Sequence, residues 1–243
     1  MRLKVINTGS KGNAYLLYNE QEALLIEAGV VIKQIKEALN FDYSKLVGCI
    51  VSHVHQDHSK AINDVMSLGI NVYAQENVFE KMGFSPRSVN IEPHKPFQLG
   101  NFKIMPFDVK HDVPCLGFLI YHPECGKTLF ITDTFYCPYT FKGLNNIIVE
   151  ANYSKKIIDK KYGADSGLEF LRNRILKSHF SLENCIEMLK ANDLKAVNKI
   201  MLIHLSDTNS DEKMFQEEVF LATGKNVLVA NKGLDVEFDK DDF

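Results

Sequence analysis

Apolar and polar positions alternate with a period of two over residues 3–8, and two further apolar runs follow at 14–18 and 23–27. Alternate side chains of a strand point to opposite faces, so the N-terminus is expected to fold as three strands of an antiparallel meander. The spacing then becomes helical at Val31, Ile35, Ala38 and Leu39, which predicts a helix over 30–40. Cys49, Ile50 and Val51 form a compact apolar run that predicts a buried strand, and Ala61, Ile62, Val65 and Met66 predict a helix over 60–68. Short strands are expected at 71–74, 89–91, 97–99, 102–107, 116–121, 127–131 and 147–149, with a short helix at 78–82. The last third turns helical over 168–176 and 181–191, then gives a strand at 199–203, a helix at 212–223 and strands at 227–229 and 234–238. Asn209, with Glu212 three residues later, is a candidate cap for the 212–223 helix, and Gly224 is placed to end it. No repeat or low-complexity run interrupts this order. One domain over 1–238 is expected, followed by a short acidic tail at 239–243.

Composition narrows the function classes. The chain has 243 residues, 45% hydrophobic and 24% charged, the values of an ordinary globule with a sizeable core. A net charge of −3 gives no global attraction to nucleic acid or to acidic membranes. The five cysteines are odd in number and contain no Cys-x-x-Cys, so neither a disulfide framework nor a zinc knuckle is indicated. No signal peptide or transmembrane segment is read at the N-terminus, and a reducing cytoplasm is the expected compartment (a host cytoplasm, if the chain is phage-encoded).

The chemistry concentrates between the strand at 49–51 and the helix at 60–68. There the sequence reads Ser-His53-Val-His55-Gln-Asp57-His58, three histidines and an aspartate within six positions. On an extended backbone His53 and His55 point the same way and can reach one ion. Asp57 and His58 follow a turn and can reach a second. Imidazole and carboxylate suit zinc, with manganese or iron as competitors. Further on, apolar strands end at His111, Asp133 and His204, which places metal-capable side chains on one rim of a sheet. The turn Gly9-Ser-Lys-Gly-Asn13 reads equally as a phosphate-cradling nest or as a hairpin turn.

In the order of these seven positions the chain resembles the metallo-β-lactamase superfamily. That resemblance implies an α/β, four-layered αβ/βα sandwich with a metal pair between two sheets. It implies that His53, His55 and His111 hold one zinc, that Asp57, His58 and His204 hold the other, and that Asp133 bridges both. Within the superfamily, Gly9 to Asn13, His179-Phe-Ser181 and His204-Leu-Ser206 are similar to a small branch that contains YycJ-like exonucleases and phage anti-Pycsar cyclic-nucleotide phosphodiesterases. The exonuclease-like members tend to follow His-Leu-Ser with a paired Asn. This chain has Asp207-Thr-Asn209-Ser-Asp211 instead and is there more similar to the phage enzymes.

The first reading is therefore a dizinc phosphodiesterase, with Mn²⁺ an alternative metal, that opens cyclic mononucleotides such as cCMP or cUMP to linear monophosphates and so counteracts antiphage signalling. The alternative is a DNA or RNA exonuclease. The resemblance further implies a homodimer, and no membrane is expected to be involved. Asp57, Asp133 and His179 are the candidate catalytic residues. His179 is the candidate acid for the leaving group, with a structural cap as the competing reading. Substrate contacts are assigned to His179 and Ser206, though Ser206 and Asn209 also suit a helix start. Asp112 either orients a ligand or faces solvent. Lys155, Lys156, Lys160 and Lys161 read as a solvated helix face, and Phe135, Tyr136 and Tyr139 as core or dimer contacts that could also stack on a base. His94 and His122 lie in proline turns and are read as surface residues.

Overall fold

The computed structural model describes residues 1–162 and 169–240. The expected helix start at residue 168 and the last three residues of the acidic tail lie outside the described residues. In chain order the elements begin β1 (Arg2–Asn7), β2 (Ala14–Tyr18), β3 (Ala23–Ile26), α1 (Ile32–Ala38), β4 (Leu46–Ile50), α2 (Gln56–Ser59), α3 (Ile62–Ser67), β5 (Val72–Ala74), α4 (Glu76–Met82) and β6 (Ser88–Asn90). They continue with β7 (Phe97–Leu99), β8 (Phe102–Val109), β9 (Cys115–His122), β10 (Gly126–Ile131), β11 (Asn146–Glu150), α5 (Lys155–Lys161) and α6 (Glu169–Ser178). The chain then gives α7 (Leu182–Lys190), β12 (Lys199–Ile203), α8 (Glu212–Thr223), β13 (Asn226–Val229) and β14 (Asp235–Glu237).

Two mixed sheets result, one ordered β14-β1-β2-β3-β4-β5-β6 and the other β13-β12-β11-β10-β9-β8-β7. In the first, β1, β2 and β3 form the expected antiparallel meander, and β4, β5 and β6 then add in parallel. In the second, β10, β11, β12 and β13 are parallel, and β9, β8 and β7 add antiparallel. Parallel neighbours cannot be joined by a hairpin, so helices cross between most of them and cover the sheets from outside, while a helix-free loop joins β10 to β11.

The two-residue period of the strands assigns each side chain to its layer. Phe130, Ile148, Met201 and Ile203 point inward and meet Leu3, Tyr15, Leu17 and Leu24 of the other sheet. Their neighbours Leu129, Ile131, Ile147, Val149, Ile200 and Leu202 point outward and pack under α7 and α8 through Leu182, Leu189, Phe215 and Val219. A third cluster joins the outer face of the first sheet to α1, α3 and α4 through Ile35, Ile62, Val65 and Phe79. Each such fully buried side chain contributes about 1.5–3 kcal/mol. The result is helices, sheet, sheet, helices, the αβ/βα sandwich that the resemblance implied.

Three local expectations are tested by these contacts. Asn209 does not cap α8: Asp211 is the cap, its Oδ1 accepting the Met214 N–H at 3.0 Å. Gly224 does end that helix, in the left-handed conformation at φ 65° that glycine adopts without strain. His122 is not a surface residue: it is buried at the end of β9, where its Nε2 lies 3.1 Å from Glu22 Oε1. No helix among the described residues is long and apolar enough to cross a membrane.

Candidate metal centre

The ends of β3, β4, β8, β10, β11 and β12 are followed at once by Glu27, His53, His111, Asp133, Glu150 and His204, or close on them. The stretch between the predicted strand at 49–51 and the predicted helix at 60–68 is not irregular throughout. His53 and His55 follow β4 on extended backbone, whereas Asp57 and His58 belong to the one-turn helix α2, which has His55 as its N-cap.

The seven predicted residues come together in two overlapping groups, His53 with His55, His111 and Asp133, and Asp57 with His58, Asp133 and His204. In each group the ligating atoms lie within 4.8 Å of one another. In the first, His55 Nδ1 is 3.0 Å from His53 Nε2 and 3.2 Å from His111 Nε2, and His53 Nε2 is 3.5 Å from Asp133 Oδ2. In the second, His58 Nε2 is 3.2 Å from Asp133 Oδ2, while His204 Nε2 is 3.3 Å from Asp57 Oδ2 and 3.5 Å from Asp133 Oδ1. Ligands about 2.0–2.1 Å from a tetrahedral ion stand roughly 3.3 Å apart, which these separations match.

Proton positions also call for a cation. His111 Nδ1 lies 2.9 Å from the Ser178 carbonyl oxygen, which only accepts, so Nδ1 carries the proton and Nε2 carries the lone pair. That lone pair faces His55 Nδ1 and, at 3.0 Å, the Asp112 carboxylate. Donors fixed from behind by backbone or carboxylate partners, with their lone pairs converging, are how metal-binding imidazoles are held.

Electrostatics agree. Burial opposes ionisation of Asp57 and Asp133, but the neighbouring histidines outweigh it and hold both carboxyls below their ordinary value. Burial likewise disfavours the charged form of His58 and His204, yet the carboxylates raise both, His204 to about 10. His53 moves the other way, pushed down by burial and by His58. Ionised carboxylates thus demand positive charge here, which protons or a metal ion can supply.

The backbone is strained at the same place. Glu27, Asp133 and His204 are non-glycine residues with positive φ, at 65°, 46° and 55°. Each such conformation costs about 1–3 kcal/mol and survives only where its surroundings fix it. The His204 N–H donates to Thr8 Oγ1 at 2.9 Å, and Thr132 Oγ1 donates to Asp133 Oδ1 at 3.0 Å.

The Gly9–Asn13 turn serves the centre as a clasp. Gly9 N–H donates to Asn13 Oδ1, Gly12 N–H to Gly9 O and Asn13 N–H to Asp57 O, so these three N–H groups are spent within the protein. Asn13 Nδ2 lies 3.1 Å from His58 Nε2. Beneath it Gly29 leaves room for the Asp57 carbonyl, which a Cβ would meet at 1.6 Å.

A cleft of about 460 Å³ opens over the centre, lined by Ser10, Asp57, Asp133, Ile175, His179 and His204 among others. A larger hollow of about 640 Å³ beside Leu16, Ala38 and Leu39 includes none of the seven residues. Ser206 does not line the cleft: its N–H bonds to Asn152 O at 2.9 Å and its carbonyl accepts from Ser210 Oγ at 2.7 Å. The serine that lines it near the Gly9–Asn13 turn is Ser10. Asn209 is buried and accepts from Lys161 Nζ at 3.2 Å. Tyr136 and Tyr139 stand outside the cleft, Tyr139 donating to Asp108 Oδ1 at 2.7 Å.

His179 borders the cleft without capping a helix, since Ser181 caps α7 by accepting from the Asn184 N–H. Its Nδ1 lies 2.7 Å from Glu150 Oε1, and its ring stacks on His204 at 5.4 Å. Burial lowers the His179 pKa, but Glu150 outweighs it and holds the imidazole above its ordinary value. Glu150 and Glu27 are the residues sequence reasoning passed over. Both are fully buried carboxylates at the ends of apolar strands, Glu27 just after β3 and Glu150 as the last residue of β11, close to the signal that had singled out Asp133 and His204.

Comparison with known proteins agrees with this geometry. The family described as "Beta-lactamase superfamily domain" matches residues 24–205. The exodeoxyribonuclease WalJ of Streptococcus pneumoniae is 25% identical over 255 aligned positions, covering 98% of this chain and 92% of that protein. The exodeoxyribonuclease YycJ of Bacillus anthracis is 26% identical over 173 positions, 65% of each chain. Among solved structures, the metallo-β-lactamase fold protein YhfI of Bacillus subtilis superposes with a TM-score of 0.73 at 17% identity, covering 97% of this chain and 99% of that one.

Proposed function

The chain belongs to the metallo-β-lactamase superfamily, and from that premise we propose that it is a two-metal phosphodiesterase that removes nucleotides from DNA ends. The observation that carries the chemistry is the pair of four-residue ligand sets sharing Asp133 under one open cleft. Zinc or manganese held there would supply Lewis acidity toward a phosphoryl oxygen and would lower the pKa of a water.

The rest is the work of this chain's own side chains. Asp133 offers Oδ2 to His53, His58 and His111 and Oδ1 to His204, so it spans both sets and fixes their separation. Asp57 stands a quarter exposed at the cleft floor, where it closes the second set. His179 has Nδ1 committed to Glu150, which leaves Nε2 to give a proton to the leaving oxygen. Glu150 falls with Asp133, His179 and His204 in a third cluster of ligand-type atoms, and its bonds give it a positioning role. Its Oε2 accepts the N–H groups of Thr134 and Phe180 while Oε1 holds His179, so it orients the acid from behind.

A DNA end is placed before a cyclic mononucleotide because the relatives that match nearly the whole chain, or two thirds of it, are named as exodeoxyribonucleases. This reverses the order drawn from Asp207 to Asp211. The cyclic-nucleotide reading keeps one support of its own: about 460 Å³ is the size of a small-molecule pocket. The homodimer expectation also stands as a proposal, to be read from the mass in light scattering. The deciding experiment incubates zinc- and manganese-loaded protein with single-stranded DNA, RNA and a set of cyclic mononucleotides. Release of nucleotides from DNA is the expected result. Turnover of cyclic mononucleotides with DNA left intact would put the cyclic substrate first and overturn the nuclease reading.

A further inference from the structure

The chain as a whole is negative, so a polyanionic substrate needs a favourable path to the centre. The α5 sequence, Lys-Lys-Ile-Ile-Asp-Lys-Lys, places four lysines in seven residues. Two are spent on the protein: Lys155 Nζ donates to Asn184 Oδ1 at 3.1 Å, and Lys161 Nζ to Asn209 Oδ1 at 3.2 Å. Lys156 and Lys160 are exposed, four residues apart on one helix face, and among the described residues neither has an anionic partner. Asp159, the one acid of this helix, is taken by Arg172 of α6 at 2.7 Å. Like charges at this spacing repel one another, and an anion laid across them relieves the repulsion.

α6 supplies a second, independent observation. Among the described side chains of this helix Phe170, Asn173 and Lys177 are exposed, at a spacing of three and then four, which makes one stripe along it. Phe170 is 78% exposed, the most exposed of the large apolar side chains among the described residues. Directly after Lys177 comes Ser178, which with Ile175 lines the cleft and whose carbonyl fixes His111. The stripe therefore runs from an exposed aromatic ring, past an exposed ammonium, to the rim of the metal centre. The Asp159–Arg172 pair clamps α5 alongside it. Cations that follow a backbone and an exposed ring on which a base stacks are the two components of a single-strand binding surface.

We propose that Lys156, Lys160, Phe170 and Lys177 form a track that holds single-stranded DNA and leads its end into the cleft. This inference rests on the nuclease reading and deepens it by naming what grips the strand.

The test uses full-length, metal-loaded protein with a labelled oligodeoxynucleotide, in a phosphorothioate form for binding and a natural form for cleavage. The variants are Lys156→Glu/Lys160→Glu and Phe170→Ala, all on exposed positions. The double variant is expected to weaken binding about tenfold or more and to flatten the dependence of log Kd on log salt by roughly 1.4, two phosphate contacts at about 0.7 each. Phe170→Ala is expected to weaken binding at least about fivefold, the lower end for one lost base–aromatic stack. The ratio of kcat/KM on DNA to that on a small phosphodiester should fall in parallel. Wild-type protein that cuts DNA, with variants that bind it equally well, overturns the track and leaves the nuclease reading in place. Wild-type protein that binds DNA through these residues without cutting it keeps the track and overturns the nuclease reading. A dimer that Phe170→Ala dissociates, with DNA affinity unchanged, assigns the ring to a second copy of the chain and overturns the track.

Discussion

His179 Nδ1 lies 2.7 Å from Glu150 Oε1, and the same carboxylate takes the backbone N–H groups of Thr134 and Phe180 on Oε2. One buried group thus sets the ring's tautomer, its direction and the two turns beside it. If His179 serves the leaving group, His179→Ala should keep its metal content and lose about 10²–10⁴-fold in turnover. A nitrophenyl phosphodiester needs no proton on departure and should recover much of that loss. Loss of metal, or equal losses on both substrates, would remove His179 from the role.

Glu150→Gln tests the same relationship from the other side. An amide can accept from His179 or receive the two N–H groups, but its NH₂ must then oppose a donor, since only a carboxylate accepts on both arms. The ring should lose its fixed direction, and His204, whose Nδ1 lies 3.4 Å from the same Oε1, keeps Asp57 and Asp133 beside its Nε2. Turnover on a poor leaving group is expected to fall about 10–100-fold, part of the general-acid contribution. The nitrophenyl substrate should be affected less. Equal effects on both substrates would make Glu150 merely structural.

Asp57 and His58 are neighbours with different consequences. Asp57 is a quarter exposed, whereas His58 is fully buried between Asn13, Glu27 and Asp133. Asp57→Ala should abolish turnover and lower the melting temperature less than His58→Ala does, because the Asp57 carboxylate is partly solvated. His58→Ala should abolish turnover and also leave buried polar groups unpaired, at about 1–3 kcal/mol. For a chain of this size that is roughly 2–4 °C for each kcal/mol. Thermal denaturation of the two metal-free variants separates these outcomes, and matching melting temperatures would contradict the placement of His58.

The contrast shows what the sequence could and could not disclose. His53, His55, Asp57 and His58 were legible because they are contiguous and their chemistry is dense. The strands over 14–18 and 199–203 were legible because both faces are buried and the run is apolar. The helix α2 was not, because one turn is too short to show a period, and its cap is the backbone of His55 with no side-chain bond. Glu27 and Glu150 read as ordinary acids until tertiary packing shows His58 3.5 Å from one and His179 against the other. His122 escaped for the same reason, since its partner Glu22 lies 100 positions away.

Metal retention should depend on pH in one direction. Ligating imidazoles must be neutral, and the carboxylates raise the proton affinity of His58 and His204 above the ordinary value. Protons therefore compete for the second set of ligands more strongly as pH falls. Metal content after dialysis should decrease from neutral to mildly acidic buffer. A constant metal content over that interval would exclude histidine ligation.

Acid should also loosen the fold at a site remote from the metals. Glu22 accepts Asn101 Nδ2 and His122 Nε2 on Oε1, at 2.6 and 3.1 Å, and the Asn101 N–H on Oε2 at 2.9 Å. Burial raises its pKa, but these bonds outweigh burial and hold the carboxyl below its ordinary value of 4.5. A depressed carboxyl in the folded state means that the unfolded chain binds the proton more readily. The stabilisation is therefore complete above the unfolded value and is lost as pH falls through the folded one. Glu22→Gln removes this linkage. It should lower the melting temperature near neutrality, because an amide cannot accept from all three donors, and it should flatten the decline of melting temperature below about pH 4.5. Gly100→Ala provides an independent check, because its Cβ would meet Glu22 Oε2 at 1.9 Å and must displace it. Melting curves of the three proteins from neutral pH into the acid range decide the matter. An acid slope in Glu22→Gln as steep as in the wild type would show that Glu22 carries no part of the acid sensitivity.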